Sequence, residues 1–322
     1  MKRFAAAVVA VATLTGIFVD GGSLTAGAAE STDPTFVSWS DLLPSLTSGY
    51  EPTSENECVA GKISCVDKAI REMRRRFEPM AKACDHNAVF GLAYLRTTQT
   101  YRWAAATPGF FEDPGFVNHE DIVFATYYFD AYDNWAKGTR SAVPEAWRIA
   151  FDAAKNKKVS GSGNVFLGMG AHVNRDLPYV LAGIGLVKPD GTSRKADHDK
   201  VNEFLNKVTN PLLAEVAARF DTAANSAAGP ALLGYTSSFQ MLAAWREAAW
   251  RNAERLVNAP DATARAAVEK SIEDYAATIN ATLALGMGYG PLQSSAARDA
   301  HCAANNGAAA PVEYVFGIPE PY

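Results

Sequence analysis

The residues with the clearest chemical potential are a histidine and an aspartate four positions apart. His172 and Asp176 fall in a segment of helical periodicity, where side chains at this spacing are neighbours. An imidazole nitrogen and a carboxylate oxygen placed in this way can bind one metal ion. With five His and 35 acidic residues in the chain, one such pair is also expected by chance. The structural alternative is an outer helix stripe on which Arg175 pairs with Asp176, whereas the uncharged neighbours Gly168 and Met169 favour a functional site.

A second segment places polar groups on the inward side of a predicted helix. Asp197 projects onto the centre of an apolar face, His198 lies at its edge, and Asn202 lies a little further round. A buried polar group needs a partner, so these residues predict an internal polar site. The alternative for Asp197 is stabilisation of the first helical turn, where negative charge is favourable.

Aromatic helix faces supply a third inward carboxylate. Asp121 lies on the aromatic face of a helix predicted from Asn118 to about Lys137, whereas His119 projects to the opposite side. A first-turn position explains Asp121 equally well. Hydroxyl-bearing side chains on this and the preceding helix suit the wall of a polar cavity, although such stripes more often belong to a core. These side chains are Tyr94, Thr97, Tyr101 and Tyr128.

Two functions follow if the helices converge. The first is a metal-dependent hydrolase holding one divalent zinc, iron or manganese ion, with His172, Asp176 and His198 as ligands. Asp197 would then orient His198 or act as general base, and Asp121 would be a ligand or base.

The second function is non-catalytic. An extracellular binding protein would hold a lipid-like or small apolar ligand in the aromatic cavity, with the inward Asp and His residues as a paired structural network. In either case Asn174 and Asn202 are expected to line the pocket.

The N-terminal residues predict export. Lys2 and Arg3 precede an uncharged apolar run over 4–19, and small residues at Ala28 and Ala29 fit a signal-peptide cleavage site. No later segment reaches eighteen consecutive apolar residues, so the mature chain is expected to be secreted without a transmembrane span.

Four cysteines in an oxidising compartment favour disulfides. Three pairings are possible, and we favour Cys58 with Cys65 and Cys84 with Cys302. The second would tie the C-terminal tail to an early helix, with a chain-entropy contribution of roughly 4–5 kcal/mol. A zinc site formed by these four cysteines is disfavoured, because the chain contains no C-x-x-C pair and Cys302 lies far away in sequence.

Periodicity predicts an all-α protein, a single orthogonal bundle of about eight to ten helices. Residues 1–29 form the signal peptide, 30–60 are irregular, and 61–322 form the domain, with an extended tail from about 303. Residues 156–163 read as a flexible connector. The predicted helices begin near Lys62 and then cover about 85–103, 118–137, 144–155, 164–177, a piece after Pro178, 193–208, 211–224, 236–257 and 261–285.

Composition excludes several classes. With 48% hydrophobic and 20% charged residues and a net charge of −5, the chain is neither disordered nor basic enough for a typical nucleic-acid binder. There is no G-x-S-x-G, H-E-x-x-H or P-loop motif. The oligomeric state stays open.

Two resemblances add to these patterns. The run Gly-Met-Gly-Ala-His-Val-Asn-Arg-Asp-Leu-Pro over 168–178, followed by Lys-Ala-Asp-His-Asp-x-Val-Asn over 195–202, resembles a family of secreted, uncharacterised helical proteins from actinobacteria. The resemblance runs from about Tyr94 to Val208 and implies no activity.

Over about twelve residues, Leu167 and Gly168 with His172 and Asp176 are also similar to the metal-ligand helix of zinc-dependent phospholipases C and related single-strand nucleases. That similarity implies metal-ligand roles for His172 and Asp176 only. The second His-x-x-x-Asp pair and the N-terminal Trp of those enzymes are absent from this sequence, so a three-zinc site is not expected.

Overall fold

The computed structural model describes residues 49–225 and 235–317. In these ranges the chain is helical and contains no strand, only two isolated bridges, so the predicted all-α class is confirmed. The signal peptide and most of the irregular segment lie outside the described residues. The α-helices are α1 (Ile63–Lys82), α2 (Ala88–Ala106), α3 (Pro114–Ala136), α4 (Glu145–Lys155), α5 (Gly161–Ala171), α6 (Leu177–Ile184), α7 (Lys195–Arg219), α8 (Tyr235–Val257), α9 (Ala262–Gly286) and α10 (Ser295–Asn305).

Helix α2 runs through the interior and is buried on nearly every side, packed against α1, α3, α5 and α7. Its polar residues therefore need internal partners. Arg96 donates to both carboxylate oxygens of Glu215 on α7 at 2.8 Å and to Gln99 at 2.8 Å. This buried pair fixes α7 beside α2, and the two helices form opposite walls of the same interior space.

Helix α3 begins earlier than predicted. Asp113 accepts a hydrogen bond from the Phe116 N–H and Pro114 is the first helical residue, a common N-terminal combination. The predicted cap, Asn118, instead lies inside the helix. Its side chain accepts from the Tyr101 hydroxyl and donates to the Gly61 carbonyl at 2.8 Å, which ties α2 to α3.

The predicted break between 208 and 211 was wrong, because α7 continues through Pro211. A proline inside a helix removes one backbone hydrogen bond and costs about 3 kcal/mol. Here Val208, Leu212 and Val216 continue one buried stripe across the proline, and this packing offsets the lost bond.

Residues 161–184 form one continuous helical path whose middle is irregular. Between α5 and α6, His172–Asp176 adopt a π-helical turn in which the Leu177 N–H donates to the His172 carbonyl. Pro178, which has no N–H to donate, lies in the first turn of α6. The sequence predicts a helix from Asn164 to about Leu177, followed by a second helical piece after Pro178. The structure begins α5 at Gly161, with Ser160 accepting from the Gly163 N–H, so the connector is shorter than predicted.

Both predicted disulfides are confirmed: Cys58 bonds Cys65, and Cys84 bonds Cys302. No helix is predicted after about 285, yet α10 covers Ser295–Asn305, begins after the Ser294 cap and carries Cys302. All described residues fall in one compact unit. Among them, no helix combines the length and apolar character needed to cross a membrane.

The two disulfides are expected to contribute unequally to stability. They join residues 218 and 7 positions apart, so the chain-entropy model gives about 5 and about 2 kcal/mol respectively. Replacing Cys84 and Cys302 by Ser should lower the urea midpoint more than the same change at Cys58 and Cys65. Equal losses in equilibrium unfolding would contradict this ranking.

Gly168 permits close approach of α5 to α2. A Cβ at this position would overlap the Phe90 ring, and Gly168→Ala should therefore destabilise the protein by about 1–3 kcal/mol through overpacking. Gly286→Ala is the matched control, because nothing lies within 4 Å of a Cβ added there. Urea unfolding of both variants checks the expectation, and a Gly168→Ala protein as stable as the control would refute it.

Candidate functional site

A buried cavity of about 140 Å³ lies between α2, α3, α5, α7 and α8. Most of its wall is apolar, and the polar side chains that reach it come from different helices. Small-molecule sites commonly combine such an apolar wall with a few placed polar groups. Representative apolar lining residues are Val117, Val165, Phe204, Leu212, Phe239 and Leu242.

The π-helical turn holds His172 and Asp176 together. His172 Nδ1 lies 2.9 Å from Asp176 Oδ2, and Trp147 Nε1 donates to the same oxygen at 2.8 Å. Arg175 donates to the other carboxylate oxygen at 3.1 Å. A carboxylate accepts hydrogen bonds, so His172 Nδ1 carries a proton and Nε2 presents a lone pair.

The negative charge of Asp176 is balanced within the core. Arg175 is 2% exposed and also donates to Glu273 Oε1 on α9 at 2.8 Å. Its guanidinium lies over the Tyr179 ring, with 4.9 Å from carbon to ring centroid. The predicted pairing of Arg175 with Asp176 is present, but as part of a buried network and not on a solvated stripe. Asp176 is 0% exposed and its oxygens are engaged, so it is not free to bind a metal.

The His172 ring forms part of the cavity wall. It stacks on Phe124 at a centroid distance of 3.4 Å and contacts the Tyr94 ring edge-to-face at 4.7 Å. Burial lowers the pKa of His172, an effect that Asp176 partly opposes, so the neutral imidazole is favoured at pH 7. Its Nε2 is buried and has no hydrogen-bond partner among the described residues.

Two other polar atoms of this wall are also without a partner in the described part of the chain: the Tyr94 hydroxyl oxygen and Asp121 Oδ2. Burial first, and then the neighbouring Glu120, raises the pKa of Asp121 well above its ordinary value. Burial also raises the pKa of Tyr94 well above its ordinary value, and an ionised Asp121 would add to that shift. Both side chains therefore favour protonated forms that can donate a hydrogen bond.

A second polar region of the cavity contains Glu120 and Arg246, which the sequence patterns did not single out. Burial raises the pKa of Glu120 to about 7, and the charge of Arg246 partly opposes the shift. Burial lowers the pKa of Arg246 to about 10. Helical phase offered one signal, since Arg246 lies on the same face of α8 as the buried Leu242 and Ala249.

His198 does not join His172. Its Nε2 donates to the Arg246 carbonyl at 3.1 Å, and its Nδ1 lies 3.3 Å from the Arg246 guanidinium, which also donates to the His198 carbonyl. Both ring nitrogens are thus used by α8. Within residues 49–225 and 235–317, no group of three His, Cys, Asp or Glu side chains is arranged as a metal site. The described structure therefore does not bring His172, Asp176 and His198 together as one ligand set.

Asp197 faces inward, as helical phase predicted, and both of its carboxylate oxygens accept backbone hydrogen bonds. Its Oδ1 accepts from the Glu112 N–H at 2.7 Å and its Oδ2 from the Asp113 N–H at 2.9 Å. The carboxylate fixes the loop that starts α3 and does not orient His198.

The other predicted pocket residues divide into two groups. Tyr94, Thr97 and Tyr101 line the cavity, whereas Asn174, Asn202 and Tyr128 do not. Tyr128 borders a separate small pocket beside Trp147. Asn174 is buried, and neither side-chain amide atom has a partner among the described residues.

Residues 66–285 match the Family of unknown function (DUF5995), a range that contains every residue of the cavity wall. This match agrees with the resemblance to an uncharacterised family. No curated protein and no solved structure gives a significant match.

The proton on His172 is expected to reside on Nδ1, with Nε2 unprotonated at pH 7. Nitrogen-15 chemical shifts of labelled histidine distinguish the two ring tautomers and follow protonation. The His172 signals should titrate below the ordinary histidine pKa of about 6.5, because burial disfavours the imidazolium. His172→Phe assigns the signals, and a protonated Nε2 at pH 7 would contradict the structure.

Proposed function

The chain belongs to a family of unknown function, and from its site we propose that it binds a small, largely apolar organic molecule in the buried cavity. The observation that carries this proposal is the cavity wall, in which four buried polar atoms without a partner among the described residues interrupt an apolar lining. They are His172 Nε2, the Tyr94 hydroxyl oxygen, Asp121 Oδ2 and Arg246 Nε. Buried polar atoms without partners are costly, and a ligand that bonds them recovers that free energy.

The size of the cavity supports a compact ligand. Protein interiors contain few voids larger than a water molecule. An empty cavity of this volume costs about 3 kcal/mol by the relation between cavity volume and lost stability. An engineered apolar cavity of about 150 Å³ admits benzene, so a molecule of about that size is favoured over a long lipid chain.

The electrostatics favour a neutral ligand. Glu120 and Arg246 oppose each other in charge, while His172 is favoured as neutral and Asp121 as protonated. An added charge would have to be desolvated without a free counter-ion at the His172 wall. A metal-dependent hydrolase has less support, because its ligands are not grouped and Asp176 is already saturated by hydrogen bonds.

We place this binding outside the cell. Two disulfides are typical of exported proteins, and the N-terminal sequence pattern predicts a signal peptide.

Benzene and cyclohexanone are suitable probes. Each should raise the melting temperature and shift the NMR signals of cavity side chains, since a ligand at 100 times its Kd stabilises by about 2.7 kcal/mol. Thr97→Phe, which places a ring in the cavity, should abolish both responses. Thr278→Phe, an exposed position on α9, is the matched control and should preserve them. Absence of any response to both probes would refute the proposal.

A further inference from the structure

We propose that the cavity is a proton-transfer site for small neutral ketones, an inference that rests on the proposed binding function. His172 removes a proton from the carbon beside the carbonyl group, and the Tyr94 hydroxyl and Asp121 carboxyl donate hydrogen bonds to the oxygen that becomes negative. The activity is enolisation, and for an unsaturated ketone it becomes migration of the double bond.

His172 is oriented as a general base requires. Asp176 Oδ2 accepts from His172 Nδ1 at 2.9 Å, while Trp147 and Arg175 hold Asp176 in place at 2.8 and 3.1 Å. Stacking of Phe124 on the imidazole, with 2° between the planes, restricts ring rotation. The remaining nitrogen, Nε2, is buried and has no partner within residues 49–225 and 235–317. A neutral histidine oriented by a buried carboxylate can accept a proton, and the carboxylate then stabilises the imidazolium.

The donors lie on the same wall. The Tyr94 ring is 4.7 Å from the His172 ring, and Asp121 precedes the stacked Phe124 by one helical turn on α3. The Tyr94 hydroxyl and Asp121 Oδ2 both lack partners in the part of the chain that the structure describes. An apolar site can keep a carboxylic acid neutral near pH 7, so that it donates a hydrogen bond to an enolate oxygen. Preorganised donors of this kind stabilise developing charge strongly because water is excluded.

The step is redox-neutral and needs no further reactant. The bond from the α-carbon to hydrogen breaks, and its proton passes to His172 Nε2. The electron pair of that bond forms the carbon–carbon double bond, while the carbonyl π pair moves to oxygen. The imidazolium then delivers a proton to the same carbon, or to a conjugated carbon further along, which regenerates neutral His172. In D₂O, exchange of the imidazolium proton with solvent makes the delivered hydrogen a deuteron.

Acyl transfer has less support from the same geometry. A serine, threonine or cysteine nucleophile would have to share its proton with the histidine. No such hydrogen bond reaches His172 Nε2 in the part of the chain that the structure describes. The four cysteines are all paired in disulfides.

Deuterium exchange tests the proposal directly. Full-length protein is incubated with cyclohexanone in D₂O, and loss of the α-proton NMR signals is compared with buffer. We expect exchange at least about 100-fold faster than in buffer, within the range that positioned acids and bases provide. His172→Phe keeps an aromatic ring against Phe124 and should return the rate to the buffer value.

Tyr94→Phe removes one hydroxyl from the cavity wall and should slow exchange by at least about tenfold. This expected effect is smaller than the rate loss of about 10²–10³ that follows removal of a strong oxyanion donor. If His172→Phe does not fold, the exchange rate of Tyr94→Phe still tests the proposal. His301→Phe is the control, because this histidine lies on α10, outside the cavity wall, and should leave exchange unchanged.

The outcomes separate the two proposals. Cyclohexanone that binds without faster exchange overturns proton transfer and leaves ligand binding standing. Exchange that persists in both His172→Phe and Tyr94→Phe also overturns it. Binding of benzene but not of cyclohexanone rejects the ketone class alone, whereas binding of neither probe refutes both proposals.

Discussion

The buried carboxylate of Asp176 is the interaction on which the site depends. One side chain of 0% exposure joins the π-helical turn to α4 through Trp147 and, through Arg175, to Glu273 on α9. An isolated buried charge would be very unfavourable, and it is tolerated because three donors and an opposite charge surround it. With Asp176 fixed, the proton of His172 is held on Nδ1, and the lone pair of Nε2 is left for the cavity wall.

The cavity wall contrasts with the Asp176 carboxylate. Behind the histidine ring both oxygens of Asp176 have a donor, whereas on the cavity side His172 Nε2, the Tyr94 hydroxyl and Asp121 Oδ2 have no partner in the described ranges. A core selected only for stability would replace such atoms by apolar groups, because buried unsatisfied polar groups are destabilising. Sites that bind or transform a ligand commonly carry this cost, since the missing partner arrives with the ligand.

Local spacing predicted the parts of this arrangement that are local. The interval of four residues predicted that His172 and Asp176 are neighbours, and helical phase predicted that Asp121 and Asp197 face inward. Both predictions depend only on helix geometry. Phase could not name partners distant in sequence. Arg246 lies 48 positions from His198 in sequence, yet both ring nitrogens of His198 contact it. The carboxylate of Asp197 accepts a hydrogen bond from the backbone of Asp113, 84 positions earlier. The sequence predicts a helix end near Pro211, because the lost backbone hydrogen bond of a proline can be inferred from sequence. The buried stripe that offsets this loss cannot.

The π-helical turn carries both His172, which lines the cavity, and Asp176, which holds the proton on His172 Nδ1. An α-helix interrupted by a single wider turn changes the direction of the side chains that follow, and such turns occur frequently at functional sites. Here the turn spans both members of the hydrogen-bonded pair. Gly168, one turn earlier, lets Phe90 approach the backbone of α5, so the helix carrying His172 lies close against α2 and its Tyr94. Small residues before the turn and proline after it thus shape one wall, on which base and donors come from neighbouring helices.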